Sequence, residues 1–236
     1  MTAMAGRRVL ITGATRGIGE ALAAHCLEAG DEVVGCGRTA PSISHERYTH
    51  CTVDVTDSAA IEALFRDLKR RFDRLDVLVN NAGIGGMNSI ALTPVDAARR
   101  IVETNFLAAF AFTREALRMM RGSPAARIVN VTTVAVPMRL EGEAVYAASK
   151  SAIETFTRIA AREVAPFGVT CNAVGPCPVR TKLTASVPAH KIQALIDRQA
   201  VRRWGLVEDV VNVVEFFLRP ESAMVTGQVI YLVGAG

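Results

Sequence analysis

The sequence predicts an α/β fold: a doubly wound, mostly seven-stranded parallel sheet with helices on both faces, in one domain over residues 1–236. Three observations predict it. Short runs rich in β-branched residues alternate with longer stretches of helical period, which implies parallel strands joined by right-handed crossovers. A glycine-rich turn stands between the first strand-like run and the first helical one. No Pro/Gly/Ser-rich linker, internal repeat or low-complexity segment divides the chain.

The elements follow in order. "RRVLITG" is a first strand ending at Gly13. "GIGEALAAHCLEAG" repeats apolar residues at Ile18, Leu22 and Leu27, with Gly30 suited to a helix C-terminus;. "DEVVGCG" and part of "RYTHCTVDVTD" are strands two and three. Asp57 or Ser58 is suited to cap "AAIEALFRDLKRRF";. "LDVLVNNAG" is apolar enough to be buried on both faces;. "TPVDAARRIVETNFLAAFAFTREALRMMR" reads as one long helical stretch, with Thr93 as N-cap and Pro94 in the first turn;. "ARIVNVTT" is strand five, "EAVYAASKSAIETFTRIAAREVAPFG" a long helix and "VTCNAVG" strand six. "GLVEDVVNVVEFFLRP" and "GQVIYLVG" close the chain as helix and strand. Residues 180–204 are the longest insertion between a strand and its helix. Open α/β sheets bind ligands at the carboxyl ends of their strands, so this insertion is a candidate lid.

Half of the residues are hydrophobic and 21% are charged, which fits a globule with a large core;. The formal net charge of +4 is spread among acidic residues, which argues against a nucleic-acid partner;. Cys26, Cys36, Cys51, Cys171 and Cys177 show no paired spacing, so reduced thiols and a cytoplasmic setting are expected;. "MTAMAGRRVLITG" enters a strand without a secretion signal, and no apolar run reaches the roughly 20 residues a membrane helix needs;.

The chemistry concentrates in five places. "TGATRGIG" carries Gly13, Gly17 and Gly19, spaced for a tight turn and for a pyrophosphate against a helix N-terminus;. "NNAG" follows strand four, Asn105 lies within the long helical stretch, and Tyr146 precedes Lys150 by one helical turn. "NAVGPCPVRT" follows strand six. In this order and spacing, the five motifs resemble the short-chain dehydrogenase/reductase family, of the shorter single-domain type with a Rossmann-like fold. The resemblance runs from Val9 to about Leu232 and is near to the reductases of carrier-bound 3-oxoacyl chains.

That resemblance implies a nicotinamide cofactor held by Gly13, Thr15, Arg16, Gly17, Ile18, Gly19, Arg38, Asp54, Val55, Asn81, Ala82, Gly83, Tyr146, Lys150, Pro176, Val179 and Thr181. Family members that select NAD carry an acidic residue at the end of strand two. Here Gly37 stands at that point, followed by Arg38, and Arg16 adds a second guanidinium. With no carboxylate expected there, two guanidinium groups suit a 2′-phosphate, so the cofactor is expected to be NADP(H).

The catalytic set implied is Asn105, Thr133, Tyr146 and Lys150. Tyr146 would protonate a carbonyl oxygen as hydride arrives, its pKa lowered by the Lys150 ammonium one turn away. Lys150 would also hold the nicotinamide ribose, and Asn105 would anchor a water linking Lys150 to solvent. Most relatives have serine where Thr133 stands. Neighbouring strand residues face opposite ways, and register selects Thr133 over Thr132. A threonine hydroxyl donates and accepts as serine's does, while its methyl narrows the pocket. No metal ligands are expected.

Pro176-Cys177 departs from the family's Pro-Gly, so an extended loop is expected there, with Cys177 as a small apolar filler. The pocket is expected to be lined by Ala135, Val136, Pro137, Met138, Leu140, Val145, Leu183 and Trp204, with Arg139, Arg180 and Lys182 at its edge. That suits a ketone with an apolar body, a 3-oxoacyl thioester among the candidates. Phe167 stands where carrier-docking relatives often have a basic residue, and Arg118 and Arg121 are the residues that could compensate. Both long helices are apolar on more than one face, so a homodimer or homotetramer is expected. The competing reading is a nicotinamide-binding sensor or scaffold with weak catalysis, suggested by Thr133 and Cys177. An imine reduction or an isomerisation would leave the same residues in place.

Overall fold

A computed structural model describes residues 6–124 and 126–234, the side chain of Ser186 excepted, so the first five residues of the N-terminal reading lie outside it. Seven parallel strands form one sheet in the order β3-β2-β1-β4-β5-β6-β7. They are β1 (Arg8–Thr12), β2 (Glu32–Gly37), β3 (Tyr48–Thr52), β4 (Val77–Asn80), β5 (Arg127–Val131), β6 (Thr170–Gly175) and β7 (Val229–Tyr231). The order reverses between β1 and β4, so their carboxyl ends splay apart and leave a crevice.

Helices cover both faces. One carries α1 (Gly17–Glu28) and α8 (Val207–Leu218), the other α2 (Ser58–Arg71), α4 (Ala108–Met120) and α6 (Ala144–Val164). Strand alternation divides the core accordingly. Val9 and Ile11 of β1 pack toward α1 and α8, and Leu10 between them packs toward α2 and α4;. Asp57 caps α2, its carboxylate accepting from the Ala59 and Ala60 amides;. Gly30, at φ +91°, closes the end of α1;.

Two expectations are corrected. Thr93 does not cap α3 (Val95–Val102). Its hydroxyl turns back to the Ser89 carbonyl at 2.9 Å, and Pro94 takes the cap position. The long helical stretch is also not uniform. α3 and α4 are joined by a π turn, Glu103–Leu107, which contains Asn105. Such turns insert one residue into the helix and rotate a side chain out of its regular place. The structure adds short helices that the apolar periodicity did not mark: α5 (Ala135–Met138) and, within residues 180–204, a 3₁₀ turn (Thr184–Ser186) and α7 (Ala189–Asp197).

Candidate active site

The crevice between β1 and β4 is floored by the glycine turn. Gly13 and Gly17 have φ of +67° and +58°, backbone that a side chain disfavours;. Gly19 is required for space: a Cβ there would stand 2.3 Å from the Gly13 carbonyl oxygen and 2.4 Å from Asn81 Nδ2. Thr12 ties this turn to the loop after β4, its hydroxyl accepting from the Asn81 and Ala82 amides at 3.0 and 2.9 Å. Asn81 Nδ2 completes the link by donating to the Thr12 and Gly13 carbonyls. Thr181 reaches the same turn from the other side, its Cγ2 lying 3.3 Å from a Cβ placed on Gly17. Ile18 packs into the α1 core, Val55 is buried, and the Pro176 carbonyl accepts from the Val134 amide at 3.1 Å. The loop through Cys177 needs no positive φ and no cis peptide, as an extended path requires. Cys177 itself is buried beside Val134 and Gly205, and Val179 forms an isolated bridge with Gly205.

At the end of β2, Gly37 lies against Thr15, whose hydroxyl accepts from Thr39 at 3.1 Å. Arg16, next to Thr15 in the chain, and Arg38, next to Gly37, are both exposed. A carboxylate does stand near Arg38, contrary to the sequence-based expectation: Asp54 is 3.8 Å away. Its own pKa is lowered chiefly by hydrogen bonds from the Thr56 amide and hydroxyl. Both partners are well exposed, so water screens the pair and leaves Arg38 free to exchange partners;.

The second group gathers where β5 ends. Thr132 and Thr133 diverge as strand alternation demands. Thr132 turns to α6, and Thr133 faces the Tyr146 hydroxyl. Tyr146 and Lys150 are both buried on one face of α6;. Lys150 Nζ donates to the Val131 carbonyl at 2.7 Å. Asn105 binds the Ile84 amide through Oδ1 at 2.8 Å, and its Nδ2 donates to the Ile84 carbonyl and Ser149 Oγ, both at 3.0 Å. Gly83 closes the group: a Cβ there would press on Asn105 Oδ1 and Lys150 Nζ, both at 3.3 Å.

The electrostatics differ from the expected pairing. Burial pushes the Tyr146 phenol up to about 12; the nearby Thr133 hydroxyl opposes the rise and Glu143 adds to it. Lys150 is not among the groups that move it. Burial pulls Lys150 itself down to about 8, because its ammonium has left water for one carbonyl;. The expectation that Lys150 lowers the Tyr146 pKa is therefore corrected. Both Asn105 Nδ2 protons are committed to protein partners, so a water held by this side chain would have to donate to Oδ1;.

Several site groups were not singled out from sequence. Thr12, Ser149 and Glu154 each stand beside a residue that was, and their hydroxyl or carboxylate was the available signal. Glu143 is a fourth. It opens α6 one turn before Tyr146 and is only partly exposed, and its carboxylate makes neither a hydrogen bond nor an ion pair among the described residues. Burial raises its pKa and Lys191 lowers it. Of the residues expected to line the pocket, Leu183 lies over Gly85, and the Trp204 ring is covered by the Arg180 guanidinium at 4.4 Å from its centroid. No cluster of three metal-ligating residues and no helix long and apolar enough to cross a membrane occurs among the described residues.

Comparison with known proteins agrees with this architecture. Residues 13–234 match a family model described as enoyl-(acyl carrier protein) reductase. The chain is 34% identical to a 3-oxoacyl-(acyl-carrier-protein) reductase of Vibrio harveyi, covering 97% of this chain and 96% of that protein. Among solved structures it resembles a gluconate 5-dehydrogenase from Burkholderia cenocepacia in complex with NADP and tartrate, with a TM-score of 0.89, 27% identity and coverage of 98% and 95%. The aldohexose dehydrogenase of Thermoplasma acidophilum aligns with a TM-score of 0.88 and 27% identity, covering 98% and 94%.

Proposed function

The chain belongs to the short-chain dehydrogenase/reductase family and is an oxidoreductase acting on CH–OH/C=O groups; from that premise we propose that it is an NADPH-dependent carbonyl reductase in which Thr133 takes the usual serine's place. The observation that carries the proposal is the convergence of Thr133, Tyr146 and Lys150 at the carboxyl end of β5, opposite a glycine cradle that added Cβ atoms would fill.

The cradle fits a dinucleotide. Gly13, Gly17 and Gly19 leave room for its pyrophosphate at the start of α1, Asp54 and Val55 flank the adenine position, and Arg16 and Arg38 would hold the 2′-phosphate. Asn81, Ala82, Gly83, Pro176, Val179 and Thr181 line the way to the nicotinamide end. When bound, the nicotinamide supplies the hydride. The protein's own contribution is acid chemistry. A phenol with a pKa near 12 keeps its proton at neutral pH, so Tyr146 is ready to donate it to a carbonyl oxygen gaining negative charge;. Thr133 donates to the same oxygen, and Lys150 binds the ribose hydroxyls and holds the proton that replaces the one Tyr146 gives up. Residues 180–204 act as a lid over this chemistry.

The substrate is a ketone with an apolar body, and a 3-oxoacyl thioester is the favoured example, because the curated relatives above reduce such groups on a carrier protein. Phe167 stands where the resemblance implies that carrier-docking reductases often have a basic residue, but the Arg121 guanidinium lies over its ring at 4.4 Å, so a cation is still displayed there;. Arg118 is held by Glu115 at 2.8 Å and adds less. The apolar faces of α4 and α6 pair protomers into a homodimer or homotetramer. The test is NADPH oxidation with short 3-oxoacyl thioesters and simple ketones, run beside Tyr146→Phe. Turnover lost in the variant supports the reading. A chain that binds NADPH and turns over no carbonyl compound would contradict it.

A further inference from the structure

A carboxylate held partly out of water normally finds a hydrogen-bond donor or a cation, because leaving one unpaired is costly. Glu143 has neither among the described residues. Its place is specific. It opens α6, and residues three apart on a helix share a face, so its side chain lies beside that of Tyr146;. The two sense each other electrostatically, since Glu143 raises the Tyr146 pKa.

The wall around Glu143 is assembled from three parts of the chain. The Gly142 carbonyl accepts from the Asn88 amide at 2.8 Å, which draws in the loop after β4. A Cβ on Gly142 would stand 3.4 Å from Met87 Cγ and 3.8 Å from Lys191 Nζ, so the start of α7 also meets this wall. Lys191 is exposed and its ammonium makes no hydrogen bond or ion pair among the described residues, although its charge reaches Glu143. An unpaired carboxylate and an unpaired ammonium therefore stand within electrostatic reach of each other at the start of α6, one helical turn from the residue that would protonate a carbonyl.

We infer that Glu143 and Lys191 form a polar subsite for a hydroxyl group on the carbon next to the substrate carbonyl. A hydroxyl is the small group that satisfies both residues, donating to Glu143 and accepting from Lys191. The inference rests on the carbonyl-reductase reading and narrows it: one side of the ketone is apolar, along Ala135 and Met138, and the other is hydroxylated. The subsite explains why a carboxylate is kept beside Tyr146, where it opposes ionisation of the phenol. A plain ketone leaves both polar groups unpaired when it displaces water from them, which penalises it far more than a missing methylene would.

The test compares two nearly isosteric ketones, 1-hydroxy-2-hexanone and 3-heptanone, by kcat/KM with NADPH. The native chain is expected to favour the hydroxyketone by at least about tenfold. Glu143→Leu should reverse that order, and Lys191→Met should reduce the ratio without reversing it. Circular dichroism and NADPH binding establish that each variant is folded. Equal use of both ketones by the native chain overturns the subsite and leaves the reductase reading intact, as does an unchanged ratio in a folded Glu143→Leu or Lys191→Met. Turnover of neither ketone, nor of the thioesters, removes the reductase reading and the subsite with it.

Discussion

Thr132 Oγ1 donates to Glu154 Oε1 at 2.8 Å, joining the residue before Thr133 to the catalytic helix one turn beyond Lys150. The other carboxylate oxygen accepts from the Tyr231 hydroxyl at 2.6 Å. Glu154 is buried, and the Arg158 guanidinium stands 4.0 Å away, so two neutral hydroxyls are its main partners. One side chain thus fastens the end of β5, α6 and β7 to each other directly behind the site.

Glu154→Ala should therefore destabilise the fold, since it removes the acceptor of the buried Thr132 hydroxyl and of the partly buried Tyr231 hydroxyl and opens a cavity. The expected loss is about 2–4 kcal/mol, read from urea unfolding. Glu154→Gln keeps the volume and an acceptor and should lose less. Equal stability of the alanine variant and the native chain would show that the network contributes nothing.

Thr133→Val removes a hydroxyl at nearly constant volume. A donor to the developing oxyanion is typically worth roughly 10²-fold in turnover, so kcat should fall by about that much while NADPH affinity holds. Thr133→Ser should retain activity. An active valine variant would remove Thr133 from the mechanism.

Lys150 makes a prediction with a definite sign. Its folded pKa, about 8, lies below the ordinary 10.5 of lysine. Between those values the unfolded chain binds a proton that the folded chain lacks, so this group's contribution to stability rises with pH across the window. Below about pH 8 the full penalty of burying the ammonium is present. Lys150→Met should lose activity yet melt higher than the native chain at pH 7, and that advantage should shrink from pH 8 to 10.5. Melting curves across pH check it. A variant that melts lower at every pH would refute the sign.

In the proposed NADPH reading, Arg16 and Arg38 select the 2′-phosphate. Arg38→Asp should lower the NADPH-to-NADH ratio of kcat/KM by roughly 10- to 100-fold, through loss of a charge-assisted contact and repulsion of a dianion. Steady-state kinetics with both cofactors decide the matter, and an unmoved ratio places selectivity elsewhere.

Phe106 and Phe110 both pack edge-on against Phe156, joining α4 to α6, yet Phe110 remains 45% exposed and Ile159 of α6 54% exposed. Such a face calls for a partner. Light scattering should give a dimer or tetramer at micromolar concentration, and Phe110→Glu should dissociate it. A monomeric native chain would refute the assembly.

Much of the site was legible because its chemistry is local. The spacing of Tyr146 and Lys150 fixes a shared helix face, strand alternation alone separates Thr133 from Thr132, and a glycine turn after β1 announces a crevice. The π turn at Asn105 was not legible. Inserting one residue shifts the apolar phase by about a quarter turn, which a run as evenly apolar as "NFLAAFAF" hides, and the commitments of the Asn105 amide to Ile84 and Ser149 hold the turn in place;. Thr93 failed as a cap for a similar reason, since its hydroxyl found a nearer carbonyl at Ser89.

The sequence by itself determined the alternation of strands and helices, the position of the crevice and the meeting of Thr133, Tyr146 and Lys150 beside it. These follow from period, chirality and turn chemistry, which act over a few residues. The tertiary structure alone decided the protonation balance. How far Tyr146 rises, how far Lys150 falls and whether Glu143 finds a partner depend on how much water the fold removes from each group. Desolvation is set by every element that packs around a side chain, and no stretch of sequence contains that sum.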